Sequence, residues 1–168
     1  MIKPHKIIRA VFIWNVYNKI MKKVFIYYSF TGSGDLVATH LEEKGYELRR
    51  IIRKRKLPQS FFFSIMAGGF LASIKHKDKL LGLNTDIKEF DEVVIGSPIW
   101  NGRICSPINT VLSKINFEGK KLTFLFYAGS GEGKKALKRV NKEYPDTKVV
   151  FLKEPKKHLD ELNKLKNF

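Results

Sequence analysis

The residues best suited to chemistry lie in a short loop, Ser29–Asp35, which reads SFTGSGD. Hydroxyl side chains recur at every second position, and the glycines allow backbone N–H groups to turn inward. Such a loop, placed between a strand and a helix, cradles a phosphate at the helix N-terminus. It matches neither the Walker A loop nor the GxGxxG motif. The candidate phosphate ligands are Ser29, Thr31, Gly32, Ser33 and Gly34. A turn that only caps the helix explains the same residues, and both interpretations stay open.

A second loop, Gly96–Pro107, contains a tryptophan among glycine, proline and asparagine residues. Trp100 follows a predicted strand, where its ring offers a flat apolar surface on which a planar ligand can stack. The alternative is a tryptophan that covers the edge of the sheet. The candidate ligand-binding residues of this loop are Pro98, Ile99, Trp100, Asn101 and Gly102.

A third loop, Tyr127–Gly133, reads YAGSGEG. Its small residues suit a place where the backbone approaches a ligand closely. The candidate residues here are Tyr127, Ala128, Gly129, Ser130 and Gly131.

Short β-rich runs alternate with helical segments from Lys23 onward, which predicts βαβ units around a parallel sheet. The predicted strands are Val24–Tyr28, Tyr46–Ile52, Val93–Ile95, Leu122–Tyr127 and Val149–Leu152. The three loops follow the first, third and fourth of these strands. Because ligands bind at the carboxyl ends of strands in open α/β sheets, the loops are predicted to converge on one site. The prediction is an α/β fold, a doubly wound domain with five parallel strands.

Helices are predicted between these strands and after the last one. Their ranges are Asp35–Lys44, Ser106–Ile115, Gly133–Asn141 and Lys156–Asn167, the last with Leu159, Leu162 and Leu165 facing inward. The longest connection contains Ser60–Ser73, which includes three adjacent phenylalanines. These cannot all face inward on a helix. We expect a core helix with one outward ring; the alternative is an outward patch that docks a partner or a quinone.

The loop motifs resemble those of the flavodoxin family over Met21–Phe168. The family's Thr/Ser-x-Thr-Gly-x-Thr appears as Ser29-x-Thr31-Gly32-x-Gly34, and Val94–Trp100 is similar to its second flavin loop. The resemblance implies a three-layer α/β/α sandwich with strand order 2-1-3-4-5 that binds flavin mononucleotide (FMN). It implies that the first loop holds the phosphate, that Trp100 lies against the ring, and that Asn101–Gly102 lies at the reactive edge. Gly34 departs from the family because it replaces a hydroxyl residue.

The formal net charge of +16 is a second departure, because electron carriers of this family are usually acidic. Such a charge attracts acidic partners, although lysines scattered over solvated helix faces explain it as well. Nucleic acid is not an expected partner. Cys105 is the only cysteine, which excludes an intrachain disulfide and a cysteine metal cluster. This suits a reducing cytoplasm, and the four histidines show no metal-ligand spacing.

The first twenty residues are predicted to be an extension to a single domain over residues 21–168. Ile7–Ile20 is apolar but interrupted by polar residues, and it is shorter than the roughly 20 apolar residues that span a bilayer. No cleavage site typical of a signal peptide follows it. The extension is either an interfacial membrane anchor or lies upstream of a true start at Met21.

The function predicted from these features is an FMN-binding redox protein that carries electrons between cytoplasmic partners. The alternative is a flavin-dependent oxidoreductase that acts on a quinone or protoporphyrinogen-type substrate, and a third class is a binding module without cofactor. No catalytic residue is predicted, since the flavin itself performs the electron chemistry. The expected partner is a redox protein or a small acceptor, and the expected oligomeric state is a monomer.

Overall fold

A computed structural model of the chain describes residues 21–58 and 60–168, so the predictions for residues 1–20 fall outside it. Strands alternate with helices along the described part. The strands are β1 (Lys23–Tyr27), β2 (Tyr46–Arg50), β3 (Ile52–Arg53), β4 (Leu80–Leu81), β5 (Glu92–Trp100), β6 (Arg103–Ile104), β7 (Lys121–Ala128) and β8 (Lys148–Lys153). The helices are α1 (Ser33–Glu42), α2 (Phe61–Ser73), α3 (Ser106–Lys114), α4 (Lys134–Glu143) and a 3₁₀ helix (Leu159–Leu165).

The central sheet contains five parallel strands in the order β2-β1-β5-β7-β8. Counted along the chain, this is the predicted order 2-1-3-4-5, and the α/β fold class is confirmed. The apolar runs explain the arrangement, because a strand covered on both faces needs no polar face. Val24, Phe25 and Ile26 of β1 accordingly expose none of their surface.

Alternate residues of the strands supply two apolar layers, one on each face of the sheet. Phe25 and Leu125 pack in the layer that contains Leu41 of α1 and Leu165 of the 3₁₀ helix. The opposite layer contains Ile26 together with residues of α3 and α4, namely Ile108, Val111, Ala136 and Val140. The helices therefore hold both faces of the sheet, and the loops at its carboxyl edge extend from a rigid base.

β5 runs five residues beyond its predicted end and then reverses at Asn101 and Gly102. Both residues have positive φ, 49° and 71°, as a two-residue type I′ hairpin turn requires. β6 returns antiparallel to β5, with Ile99 opposite Ile104 and Trp100 opposite Arg103. The second predicted loop is therefore largely a hairpin.

The second predicted strand, Tyr46–Ile52, is wrong at its end. β2 stops at Arg50, and Ile52 and Arg53 form the separate strand β3, which pairs antiparallel with β4. In this separate strand, Arg53 forms a 2.9 Å ion pair with Asp78, and each of the two side chains is 8% exposed. A buried guanidinium needs a carboxylate partner. Here the two partners are separated in the sequence by α2, with Arg53 before the helix and Asp78 after it.

The predicted helix Lys156–Asn167 is also corrected. Glu154 has a φ of 36° and its carbonyl accepts the N–H groups of Lys157 and His158, so the chain turns before any helix begins. Only seven residues remain for the 3₁₀ helix. Leu165 is buried, but Leu159 is 64% exposed, so the inward orientation predicted for Leu159 is wrong.

The expectation of one outward ring on Ser60–Ser73 is wrong as well. Phe62, Phe63 and Phe70 of α2 are each more than 60% exposed, because only the side of the helix around Ser64, Gly68 and Ala72 packs against the domain. No helix among the described residues has the length and apolar character needed to cross a bilayer. The same residues contain no cluster of three or more His, Cys, Asp or Glu that could hold a metal ion.

Candidate functional site

A cavity of about 500 Å³ lies over the carboxyl ends of β1, β5 and β7. This volume is within the range of about 300–1,000 Å³ that is usual for small-molecule sites. All three predicted loops contribute to its lining. The predicted residues that line it are Thr31, Ser33, Gly34, Pro98, Ile99, Trp100, Tyr127, Ala128 and Gly129. The topology therefore brings together segments that are up to about 100 residues apart in the chain.

The first loop enters α1 through Gly32, whose φ of 89° lets the chain turn directly into the helix. Thr31 and Ser33 border the cavity, but Ser29 does not. The Ser29 hydroxyl donates a 2.8 Å hydrogen bond to the Asp35 carboxylate and accepts the Asp35 N–H at 3.3 Å. Ser29 thus stabilises the first turn of α1, and its predicted phosphate contact stays a prediction.

Lys156 is a site residue that the sequence analysis missed. Its Nζ donates to the Thr31 carbonyl at 3.2 Å, and a Cβ atom on Gly32 would lie 3.1 Å from the same Nζ. The turn at Glu154 places this lysine over the first loop, where a cation and the N-terminus of α1 face one cavity. The sequence did contain a signal for this residue. Lys156 follows the fifth parallel strand, so it must lie at the carboxyl edge of the sheet, where the three predicted loops also lie.

Close packing explains why a glycine occupies position 34. A Cβ atom on Gly34 would lie 3.0 Å from Ser29 Cβ, 3.1 Å from the Tyr28 carbonyl oxygen and 3.2 Å from Tyr127 Cε2. The space that a threonine side chain would need is therefore already filled. The family resemblance alone made Gly34 look like a lost contact, whereas the packing makes it a steric requirement.

The Tyr127 hydroxyl is buried and has no hydrogen-bond partner among the described residues. Burial raises the pKa of Tyr127 well above its usual value, so the hydroxyl keeps its proton at neutral pH. The hydroxyl oxygen lies against Gly96, where an added Cβ would be 2.1 Å away, and leaving such a group unpaired costs about 1–3 kcal/mol.

Trp100 lines the cavity but exposes only 6% of its surface. Its ring meets those of Tyr28 and Phe30 edge to face, with centroids 5.9 Å and 5.7 Å away. A Cβ atom on Gly68 would lie 2.7 Å from the indole Cε3, so the backbone of α2 covers part of the ring. This packing supports much of the alternative interpretation, in which Trp100 has a structural role and covers the edge of the sheet. Stacking of Trp100 on a ligand stays a prediction.

Phe30 and Ile65 also line the cavity, although the sequence analysis did not select them. Phe30 lies between two selected residues of the first loop. Ile65 lies on α2, and no local pattern indicates that this helix reaches the site. Both side chains extend the apolar part of the wall beyond the three predicted loops.

The remaining predicted residues lie outside the main cavity. Asn101, Gly102 and Ser130 line an adjoining pocket of about 340 Å³, which shares Ile99, Ala128 and Gly129 with the main one. Gly131 lines neither of these two pockets and turns with a φ of 76°. The Asn101 amide donates to the Ser73 hydroxyl at 2.9 Å and so fastens the hairpin to α2.

Cys105 directly precedes α3 and is completely buried. Burial raises the pKa of its thiol to about 12 and outweighs the hydrogen bond with the Ser97 hydroxyl. A thiol with this pKa is protonated at neutral pH and is a poor nucleophile.

The profile of the flavodoxin family matches residues 71–165, which is more than half of the chain. Among solved structures, a candidate flavoprotein from Bacteroides eggerthii DSM 20697 has 21% identity and a TM-score of 0.65, with 85% of this chain and 96% of that one covered. A second candidate flavoprotein, from Bacteroides uniformis ATCC 8492, has 22% identity, a TM-score of 0.59, and coverages of 77% and 86%. A flavoprotein in complex with FMN, from Lactobacillus acidophilus NCFM, has 19% identity, a TM-score of 0.57, and coverages of 77% and 89%. No curated protein sequence gives a significant match.

A doubly wound sheet with a ligand-sized cavity over β1, β5 and β7 defines a class of α/β proteins that bind ligands at the switch point of the strand order. The structural similarities support that fold. Within this class the chain belongs to the flavodoxin family. The family match covers the second and third loops and Lys156, while the first loop lies outside it.

Proposed function

We propose that this chain binds FMN in the cavity over β1, β5 and β7 and uses it to carry electrons between cytoplasmic partners. The observation that carries the proposal is the meeting of Lys156 with the first loop at the N-terminus of α1. A lysine Nζ, together with backbone N–H groups at the positive N-terminal end of a helix, suits the negative charge of a phosphate monoester. Family membership and the FMN bound by the Lactobacillus acidophilus flavoprotein support the same cofactor.

The residues present fit FMN along the whole cavity. Thr31, Ser33 and Lys156 would hold the phosphate, and the apolar wall that includes Pro98 and Ile99 would exclude water from the ring. When bound, FMN itself accepts and releases electrons, so that the protein needs to supply binding, orientation and electrostatics only.

We expect the protein to bind FMN more tightly than riboflavin, and the difference to depend on Lys156. Replacing Lys156 with alanine removes a charge-assisted contact worth about 1.5–3 kcal/mol, which is about a 10- to 100-fold loss of FMN affinity. Riboflavin has no phosphate, so its affinity should change little. Fluorescence titration of the protein and of Lys156→Ala with both flavins measures the four affinities.

Lys22→Ala is the matched control, because this lysine also forms an exposed ion pair, with Glu89 at 2.5 Å, and lies just before β1, at the edge of the sheet opposite the cavity. It should leave the FMN affinity within a few-fold of the original. Equal affinities of the unchanged protein for FMN and riboflavin would exclude the phosphate site.

A second candidate function is a flavin-dependent oxidoreductase that acts on a quinone or protoporphyrinogen-type substrate. Phe30 and Ile65 favour it, because they extend the apolar wall beyond the loops expected to hold FMN. Steady-state oxidation of NADH or NADPH by the FMN-loaded protein, with and without menadione, separates the two functions. Turnover that requires menadione, and that falls when Ile65 is replaced with aspartate while FMN binding is retained, identifies the enzyme. A carrier shows no such turnover.

A further inference from the structure

The outer face of α2 is an unusual apolar surface. Five side chains form it, and each is 55–65% exposed: Phe62, Phe63, Met66, Phe70 and Ile74. Four of them are spaced four residues apart, so they lie in one stripe along the helix. α2 contains no charged residue at all, whereas the outer face of a surface helix is normally polar. We call this set the apolar stripe.

Two basic runs flank the stripe, one before α2 and one after its end. β3 and β4 bring the runs together, with the Lys54 N–H bonded to the Lys79 carbonyl at 2.8 Å. Six exposed cations result, which we call the basic platform: Lys54, Arg55, Lys56, Lys75, Lys77 and Lys79. The one acidic residue between positions 52 and 81 is Asp78, and it is buried against Arg53.

We propose that the apolar stripe and the basic platform together dock this protein on an anionic membrane surface. Aromatic and aliphatic side chains beside a cluster of lysines and arginines are what an interfacial membrane site requires. The apolar stripe enters the boundary between headgroups and acyl chains, and the basic platform meets the anionic headgroups. A second copy of this chain is a poor occupant, because symmetric pairing would bring two basic platforms together.

Docking of this kind also orients the redox site. Ile65 lies on α2 beside the apolar stripe and lines the main cavity. A membrane-bound α2 therefore brings the cavity close to the lipid, from which an apolar electron acceptor can arrive. The docking itself goes beyond the proposed function and does not depend on FMN.

Flotation of the full chain with lipid vesicles tests the proposal. We expect binding to phosphatidylcholine vesicles that contain phosphatidylglycerol, little binding to phosphatidylcholine alone, and weaker binding as salt rises. Phe63→Ser/Phe70→Ser should reduce the partition coefficient about tenfold or more, because two exposed rings no longer enter the membrane. Lys54→Glu/Lys56→Glu should reduce it by a similar factor through lost attraction to the headgroups.

The matched charge control is Lys88→Glu/Lys166→Glu, which changes two exposed lysines outside the platform by the same total charge. It should keep most of the binding. Thermal unfolding and FMN titration of each variant show whether it is folded, and they keep failure of docking distinct from failure of FMN binding.

Three outcomes would overturn the proposal. One is absence of binding by the full chain, as expected if residues 1–20 or a protein partner occupy the apolar stripe. Another is equal binding by the phenylalanine variant, which would place the contact elsewhere. The third is a dimer, measured by light scattering, that dissociates in that variant.

Discussion

Replacing Asp78 with alanine is expected to lower the free energy of unfolding by about 3–5 kcal/mol, the usual cost of breaking a buried ion pair from one side. The Asp78 carboxylate holds Arg53 at 2.9 Å and accepts the Ser106 hydroxyl at 2.7 Å, while its carbonyl accepts the Thr110 hydroxyl. Two further guanidinium nitrogens of Arg53 are already buried without partners in the described structure. The variant would leave that cation without its carboxylate.

Urea unfolding of the original protein and of Asp78→Ala gives the difference. Glu47→Ala is the control, since Glu47 pairs with Arg49 at 2.8 Å but is half exposed, and its loss should cost less than about 1 kcal/mol. Because Asp78 also joins the β3–β4 pair to α3, Asp78→Ala should loosen the basic platform and weaken vesicle binding. If Asp78→Ala unfolds at the same urea concentration as Glu47→Ala, the ion pair does not stabilise the fold.

Gly96→Ala is expected to cost about 3 kcal/mol of stability, the upper end of what overpacking of a core usually costs. Gly96 lies in β5 at the centre of the sheet, where an added Cβ would lie 2.1 Å from the Tyr127 hydroxyl oxygen and 2.6 Å from Phe25 Cζ. Phe25 is completely buried and Tyr127 is 5% exposed, so relieving the contact requires neighbouring side chains to shift. Tyr127 also lines the main cavity, so the same substitution should weaken FMN binding.

Adding Tyr127→Phe to Gly96→Ala tests this cause, because it removes the atom nearest to the new methyl group. The double variant should recover part of the lost stability in urea unfolding. Gly129→Ala is the control, as no atom lies within 4 Å of its Cβ position, and it should change the stability by less than about 0.5 kcal/mol. A Gly96→Ala protein as stable as this control would contradict the crowding seen around β5.

Much of the fold follows from local sequence patterns. Val24–Tyr28 is a continuous apolar run and Leu122–Tyr127 is interrupted only by Thr123, and such runs suffice to predict strands buried on both faces. Asn101-Gly102 suffices to predict a tight turn, because few other residues accept positive φ at two adjacent positions. Strands that alternate with helices imply a parallel sheet, and a parallel sheet puts all its carboxyl ends at one edge. The location of the cavity was therefore predictable.

Contacts between distant residues decided the rest. Lys156 and Thr31 are 125 positions apart, Arg53 and Asp78 are 25 apart, and no local periodicity encodes either pair. Gly34 is a mixed case, because a Cβ atom there would be crowded by Tyr28 and Ser29, which are near in the sequence, and by the ring of Tyr127, which is not. Apolar composition predicted a helix at Ser60–Ser73, but composition does not show which side of the helix packs against the domain and which side faces solvent. The sequence alone determined which segments form strands, helices and turns, because backbone preference and apolar period are local properties. Only the tertiary structure decided which side chains face the cavity, which face solvent and which cations cluster, because those outcomes depend on what the folded chain brings alongside each residue.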